Sequence, residues 1–288
     1  MYPKSFEYLR AKSVDQALQY LKENEGSRVI AGGQSLVPML KSRLYQPTVL
    51  VDINFIPELR EVKLESNGDL RIGAMVTHYD VIENSLIREN APILSSTAEN
   101  IADVQIRNRG TIGGSICEAD PSADYLPTLM ALDARVVLKT SESTREVKVE
   151  DFIQGPFETV VEDGEMLVEI MVPSNKSNYR VEKYARRKAD FAIASVAAIV
   201  SLSKDGKVAD ARVATGAQQD RPHRLREIET ALKGKPSKSV DLESIIGPAT
   251  EELEPLDDLH GGPEYRKYVL RGMLSRILGD LLSGKEAR

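Results

Sequence analysis

The sequence has 288 residues, with 38 Lys and Arg set against 44 Asp and Glu, for a formal net charge of −6. That length predicts two or three compact units, and 41% hydrophobic with 28% charged residues is the composition of a soluble globular chain. The acidic excess disfavours a broad nucleic-acid-binding surface, and one cysteine, Cys117, excludes an internal disulfide, a CxxC zinc site or an iron–sulfur cluster held by this chain alone.

Taken in chain order, the N-terminal piece reads as strand or loop. "SVDQALQYLKEN" then opens on a capping Ser13 and places Val14, Ala17, Leu18 and Leu21 on one helical face, ending at Gly26. "RVIA" is a short buried strand, and "SLVPMLKSRL" is a helix capped by Ser35 with Pro38 in its first turn. "TVLVDI" is the next strand, which makes the opening stretch β-α-β-α-β. An alternating hairpin follows around Asn67-Gly68. Tyr79 to Ala102 is helical in pattern, "RNRGTIGGSICEADPSADYLPTLMALDARVVL" runs from loop through a short helix to a strand, and "EMLVEIMVP" is an apolar strand ending at Pro173. The polar "SNKSNY" (Ser174 to Tyr179) is the expected linker, so the domain cut falls near residue 176, with subdomains of about 1–55 and 56–176 before it and an α+β unit, 177–288, after it. In that last unit a hairpin turns at "KDG", and three helices follow, the last of them around "EYRKYVLRGMLSRILGDLL". No stretch reaches eighteen uninterrupted apolar residues and the N-terminus has no apolar leader, so neither signal peptide nor membrane span is expected and the cytoplasm is the default compartment. The three histidines, His78, His223 and His260, lack metal-ligand spacing.

The chemistry is sought in two similar loops. In "RVIAGGQSL" and "RNRGTIGGSIC" a strand is expected to end in Gly-Gly followed by a polar residue. Glycine permits positive φ and lets a ligand reach the amides without meeting a Cβ. Successive amides in such a turn form a concave anion site, to which a helix start adds partial positive charge. Either loop alone is an ordinary turn; two of the same build, about eighty residues apart, suit a diphosphate bridged from two sides. Neither is a GxGxxG fingerprint or a P-loop, so a Rossmann domain or a Walker-type nucleotidase is disfavoured. "EADPSAD" brings Asp120 and Asp124, either to accept hydrogen bonds from ribose or ribityl hydroxyls or, for Asp124, to cap the next helix. "YARRKADFAIAS" brings Lys183, Arg186, Arg187 and Lys188 ahead of a buried strand, facing either a phosphate or a reduced anionic ring, or forming a solvated edge.

These residues carry a family resemblance. "AGGQSLVPMLKSRL" followed by "LVDI", then "TIGGSICEADPSAD" and "YARRKADFA", closely resembles the FAD-binding medium subunit of the molybdenum hydroxylases, over essentially the whole chain. The family includes the medium chain of aerobic carbon monoxide dehydrogenase and the flavin segment of xanthine dehydrogenase. The resemblance implies an α+β fold of the PCMH or vanillyl-alcohol-oxidase type, in which two α+β subdomains clasp FAD and a smaller C-terminal α+β domain follows. By position it implies that Ala31, Gly32, Gly33, Gln34 and Ser35 bind the diphosphate from one side, flanked by Val29, Ile30 and Leu36. Thr111, Ile112, Gly113, Gly114 and Ser115 bind it from the other. Asp124 matches the family's acidic residue near the cofactor and Ile101 its apolar contact on the adenine side, with Leu167 and Lys183 carried over more distantly. Relatives often have His at Gln34 and Asn at Ser115; both replacements still offer hydrogen bonds.

The implied function is that of the flavin subunit of a heterotrimeric complex. Electrons leave a small substrate (an aldehyde, carbon monoxide or a heterocycle) at a molybdopterin centre in a large partner subunit. They cross [2Fe–2S] clusters in a small partner subunit and reach FAD, which passes them to an external acceptor. A dimer of heterotrimers is the expected assembly, and an aldehyde is the slightly favoured substrate. No catalytic acid or base and no metal ligand is expected in this chain, since the protein's task is to hold the ring and tune its potential. Two rival readings stand beside it. One is a stand-alone FAD-dependent oxidoreductase of the same fold; the other is a phosphate-binding or assembly module that has lost FAD, against which the intact glycine pairs speak.

Overall fold

The structure is a computed structural model and describes residues 2–285. Its first layer is β1 (Glu7–Arg10), α1 (Val14–Glu23), β2 (Arg28–Ile30), α2 (Leu36–Ser42) and β3 (Val49–Asp52), with the strands in a parallel sheet of order β1-β3-β2. Parallel neighbours need a crossover, and α1 and α2 supply it. Ser13 caps α1 through its hydroxyl, which accepts from Gln16 N–H at 3.2 Å, and Val14, Ala17 and Leu18 face the core. Ser35 holds the N-cap position of α2 yet its side chain caps nothing, because its backbone is already right-handed helical (φ −97°, ψ −51°) and turns the hydroxyl away from the helix amides. The buried strand expected at 28–31 stops at Ile30 and is only half-buried, which leaves Ala31 to the loop.

The second layer is built from β4 (Val62–Leu64) and β5 (Leu70–Gly73), then the helices α3 (His78–Glu83), α4 (Ser85–Asn90), α5 (Pro92–Glu99), α6 (Val104–Arg107), α7 (Ile112–Glu118) and α8 (Tyr125–Ala131). After them come β6 (Arg135–Lys139), β7 (Thr144–Lys148), α9 (Val149–Phe152), β8 (Ile153–Gly155), β9 (Glu158–Thr159) and β10 (Met166–Val172). Asn67-Gly68 makes the β4–β5 turn, Gly68 taking φ +89°. The helical stretch after Tyr79 is three short helices rather than one, since Asn84 caps α4 and Ala91-Pro92 restarts α5. The sheet has order β4-β5-β10-β6-β7. One face, with Ile72, Val136, Leu138 and Ile170, packs under the helices, and the other, with Val137 and Val168, packs on the first layer beside Leu18, Val51 and Met75.

The remainder is a four-stranded antiparallel sheet, β11 (Asn178–Tyr184), β12 (Ala194–Leu202), β13 (Val208–Gly216) and β14 (His223–Arg224), followed by α10 (Arg226–Leu232), α11 (Glu243–Glu251) and α12 (Pro263–Leu282). Alternation decides its two faces: Ala197, Ile199 and Ala214 join the core under α8, while Val196, Ala198, Val200 and Val213 pack under α10 to α12. Buried Arg224 ties it to the second layer, donating to Asp133 Oδ1 (2.7 Å) and the Met130 carbonyl (3.0 Å) while paired with Glu229. No helix among the described residues is long and apolar enough to cross a membrane.

Candidate functional site

The first glycine loop leaves the open end of the parallel sheet. Val29 and Ile30 are its last strand residues, in register with Val51 and Asp52 of β3. Ala31 to Ser35 make the turn, and Leu36 begins α2. Gly33 has φ +72°, the left-handed region where glycine pays no Cβ penalty. Gly32 is glycine for another reason: a Cβ there would lie 2.1 Å from the Arg109 carbonyl oxygen and 2.8 Å from Gly110 Cα. The first loop therefore rests directly on the backbone that leads into the second.

The amides of Gly32, Gly33, Gln34 and Ser35 donate to no protein acceptor among the described residues. Their carbonyls are tied back. Asn54 Nδ2 donates to the Ala31 carbonyl (2.8 Å), Gln34 Nε2 to the Gly32 carbonyl (2.9 Å) and Val37 N–H to the Gly33 carbonyl (3.0 Å). The Gln34 side chain is thus spent inside its own loop rather than held out toward a ligand.

The second glycine pair does not end a strand. Thr111 is the N-cap of α7, and Gly113 and Gly114 lie in that helix's first turn. Thr111 Oγ1 accepts from Gly114 N–H (3.1 Å), Ile112 N–H donates to Val76 and Gly113 N–H to Ala74, both at 3.0 Å. A Cβ on Gly113 would sit 2.6 Å from that of Ala74, so this glycine serves the docking of α7 on the second layer. A Cβ on Gly114 would meet Thr111 Oγ1 at 2.8 Å and lie 3.8 Å from Ala31 Cβ, so this face of α7 looks across at the first loop. The expectation that both glycine pairs offer free amides holds for Gly32 and Gly33 and fails for Gly113 and Gly114, whose amides are already engaged. What the second loop leaves open is the half-buried Ser115 hydroxyl, which has no protein partner among the described residues, and the positive end of α7.

Asp124, Lys183 and the neighbour of Ile101 form a second cluster. Asp124 stands at the start of α8 but does not cap it; its Oδ2 lies 3.0 Å from Lys183 Nζ on β11, which also donates to the Asn100 carbonyl (2.9 Å). Both side chains are nearly buried. Desolvation pushes the Asp124 carboxyl up to about 6, against the opposing pull of Lys183. Ile101 is half-buried over the same core. Leu167 is 4% exposed, beside the bulge of β10, and packs in the core of the second layer.

Sequence reasoning missed Asp52 with Asn54, and His78 with Tyr125. Asp52, at the end of β3, accepts from Tyr8 OH, from Asn54 N–H (2.8 Å) and from Asn54 Nδ2 (2.7 Å). An aspartate and an asparagine around an apolar residue at the end of the apolar run "LVDIN" were the available signal. His78, under Gly110, would meet a Cβ at that position at 2.6 Å from its Nε2. Its ring stands 5.4 Å from that of Tyr125, beside Asp124. Burial, with Arg107 nearby, holds its pKa down to about 4, so the imidazole is neutral. His78 Nδ1 and Tyr125 OH are buried with no protein partner among the described residues.

Unspent amides on one side, with a hydroxyl and a helix N-terminus on the other, are a donor set that fits a diphosphate, and the nearly buried Asp124 carboxylate is an acceptor suited to hydroxyl groups. No group of His, Cys, Asp or Glu suited to a metal ion occurs among the described residues.

Comparison with known proteins agrees in kind. Residues 4–175 match the FAD-binding domain in molybdopterin dehydrogenase, and residues 179–281 match the CO dehydrogenase flavoprotein C-terminal domain. The glyceraldehyde dehydrogenase medium chain of Sulfolobus acidocaldarius is 38% identical over 284 residues, covering 98% of this chain and 100% of the relative. The carbon monoxide dehydrogenase medium chain of Hydrogenophaga pseudoflava is 34% identical, with 96% and 97% covered. Among solved structures, carbon monoxide dehydrogenase from Hydrogenophaga pseudoflava superimposes with a TM-score of 0.94 at 34% identity. Quinoline 2-oxidoreductase from Pseudomonas putida 86 superimposes at 0.93 and 34%, and both cover 100% of each chain.

Proposed function

The chain belongs to the family of FAD-binding medium subunits of the molybdenum hydroxylases, oxidoreductases in which this subunit carries the flavin, and we propose that it relays electrons from a partner's [2Fe–2S] clusters through FAD to an external acceptor. The observation that carries this reading is the meeting of the two glycine loops, with four unspent amides on one side of the seam and a free hydroxyl on the other. FAD supplies a ring that accepts and gives up electrons singly or in pairs.

The rest is the work of this chain. The amides of Gly32, Gly33, Gln34 and Ser35 hold the diphosphate, opposite Ser115 and the N-terminus of α7. Asp124 accepts hydrogen bonds from cofactor hydroxyls and Ile101 covers an apolar edge, while Lys183 keeps Asp124 in place. Val29, Ile30 and Leu36 set the walls of the first loop, and Thr111, Ile112, Gly113 and Gly114 set those of the second. Residues 1–176 are the flavin-binding part and 177–288 the C-terminal domain, whose sheet shares a core with α8. One cysteine cannot ligate a cluster, so the small iron–sulfur and large molybdopterin subunits are required partners. We place them with this chain in a cytoplasmic dimer of heterotrimers. Relatives bear names of the same kind, such as nicotine 6-hydroxylase medium subunit and caffeine dehydrogenase subunit beta.

The test is the visible spectrum of the purified chain, with the cofactor released by heat and identified. Oxidised-flavin bands and about one FAD per chain support the reading. A colourless chain that takes up no added FAD, alone or with its partners, refutes it.

A further inference from the structure

We propose that Asn54, locked by Asp52 and Tyr8, sets the direction of the first-loop amides and so acts as a positioning residue for the cofactor's diphosphate. The inference rests on reading residues 31–35 as the diphosphate loop. A trans peptide is planar, so its carbonyl and its N–H point in opposite directions. Whatever anchors the Ala31 carbonyl therefore aims the Gly32 amide the other way. Asn54 Nδ2 is that anchor, at 2.8 Å.

The two peptides that follow are held in the same manner. Gln34 Nε2 on the Gly32 carbonyl aims the Gly33 amide, and Val37 N–H on the Gly33 carbonyl aims that of Gln34. Gly33 is left-handed and Ser35 right-handed, and a turn that mixes the two hands is the kind of backbone that gathers successive amides into an anion nest. Of the three anchors, Val37 belongs to the helix and Gln34 to the loop. Asn54 alone reaches in from another element, beyond the end of β3, and ties the loop to the sheet.

Asn54 is itself immobilised. Its side chain donates to Asp52 Oδ1 at 2.7 Å and its backbone N–H to the same oxygen at 2.8 Å, while the other oxygen takes the Tyr8 hydroxyl. Arg60 Nη2 holds the Asn54 carbonyl at 3.3 Å. Asp52 is 6% exposed, and the three hydrogen bonds its carboxylate accepts all come from Asn54 and Tyr8. Tyr8 on β1, Asp52 on β3 and Asn54 thus form a chain of contacts across the parallel sheet that ends on a single carbonyl. An unanchored peptide 31–32 could rotate its amide away at little cost, since Gly32 has no side chain to restrain it.

The test compares ligands that share one half of FAD. In the full-length chain stripped of flavin, dissociation constants are measured for FAD, ADP and riboflavin, in the native sequence and in Asn54→Leu and Asn54→Asp. Both replacements keep the branched shape and remove the donor. Losing the anchor is expected to weaken FAD and ADP by about tenfold each and to leave riboflavin, which has no diphosphate, unchanged. Unchanged FAD affinity, or riboflavin weakened as much as FAD, overturns the proposal. Should the native chain bind FAD no more tightly than riboflavin, the diphosphate-loop reading itself falls, and the proposal with it. Where neither Asn54 variant folds, Tyr8→Phe carries the test: it frees one oxygen of Asp52 at an exposed position, and the FAD-to-riboflavin affinity ratio is expected to fall at least about twofold. An unchanged ratio there overturns the proposal.

Discussion

Gly32→Ala separates two reasons for a glycine in a ligand loop. If the position is glycine to admit a diphosphate, alanine weakens FAD binding and leaves the flavin-free chain as stable as before. The structure says otherwise, because the added Cβ meets the Arg109 carbonyl oxygen at 2.1 Å and Gly110 Cα at 2.8 Å, both backbone atoms that cannot swing aside as a side chain can. Restoring ordinary contact of 3.4 Å or more requires the two loops to part by about 1.3 Å. Overpacking of this kind costs about 1–3 kcal/mol. At about 2–4 °C per kcal/mol for a chain of this size class, the flavin-free melting temperature should fall by about 2–12 °C. FAD affinity should fall as well, because the loops no longer meet. Gly68→Ala is the control: φ is +89°, nothing stands within 4 Å of the new Cβ, and only the left-handed penalty of about 1–2 kcal/mol applies, far from the site. Scanning calorimetry and a flavin titration on both variants decide the matter. A flavin-free Gly32→Ala chain as stable as the native one would falsify the contact between the loops.

Three further outcomes follow from buried groups. Arg224→Met strands Glu229 and removes the tie to Asp133 and Met130, with an expected loss of about 3–5 kcal/mol; a denaturant midpoint within experimental error of the native one rules that out. Asp124 is raised in the fold from an ordinary 3.8 to about 6, so it ionises more readily unfolded than folded. Its stabilising contribution is therefore full below pH 4, is lost as pH rises to about 6, and is flat above that. The stability of the native chain measured against Asp124→Asn should accordingly rise on acidification from pH 6 to 4, and a difference that falls over that window contradicts the buried placement. Thr111→Val keeps the shape and deletes the cap on Gly114 N–H, which should cost about 1 kcal/mol in unfolding experiments; no loss would mean that packing on Ala74 and the backbone bonds to Ala74 and Val76 hold the start of α7 without the cap.

What the sequence discloses is what neighbours along the chain can encode. The face of α1 with Val14, Ala17 and Leu18, the hairpins at Asn67-Gly68 and at Asp205-Gly206, and the β-α-β-α-β opening all rest on periodicity or on a turn residue within a few positions, and the structure has them. The two glycine loops are visible for the same reason. Their division of labour is not. Gly32 and Gly113 owe their identity to Arg109 and Ala74, and no local pattern announces a backbone approach from that far along the chain. Asp124 illustrates the limit in another way. Beside Tyr125 it reads equally as a cap or a ligand, and what settles its side chain is Lys183, on another sheet. Asn54 escaped because "LVDINF" reads as a strand and its end, whereas its partner Ala31 lies across the sheet.

The two loops come from different layers, and this has an energetic consequence for the cofactor. The first is carried by the parallel sheet and the second by α7 on the five-stranded sheet. An apolar cluster in which Val137, Met166 and Val168 meet Leu18 and Val51 joins the layers, with exposed ion pairs Lys139–Asp15 and Lys22–Glu142 at its edge. That cluster is non-directional: it holds the layers together without fixing to a fraction of an ångström how the loops face each other. The close approach of Gly32 to Arg109 and Gly110 does fix it, as a hard steric stop. A ligand that touches both loops then meets amides and hydroxyl already in position, and binding forfeits little to reorganisation. By linkage, such a ligand stabilises the joined layers as RT ln(1 + [L]/Kd), whereas riboflavin, lacking the diphosphate, adds little at this seam. The rise in melting temperature on adding FAD should therefore shrink in Gly32→Ala and in Asn54→Leu, though one variant disturbs the stop between the loops and the other only the aim of an amide. If the rise were intact in Gly32→Ala, the cofactor would not be bridging the layers at all.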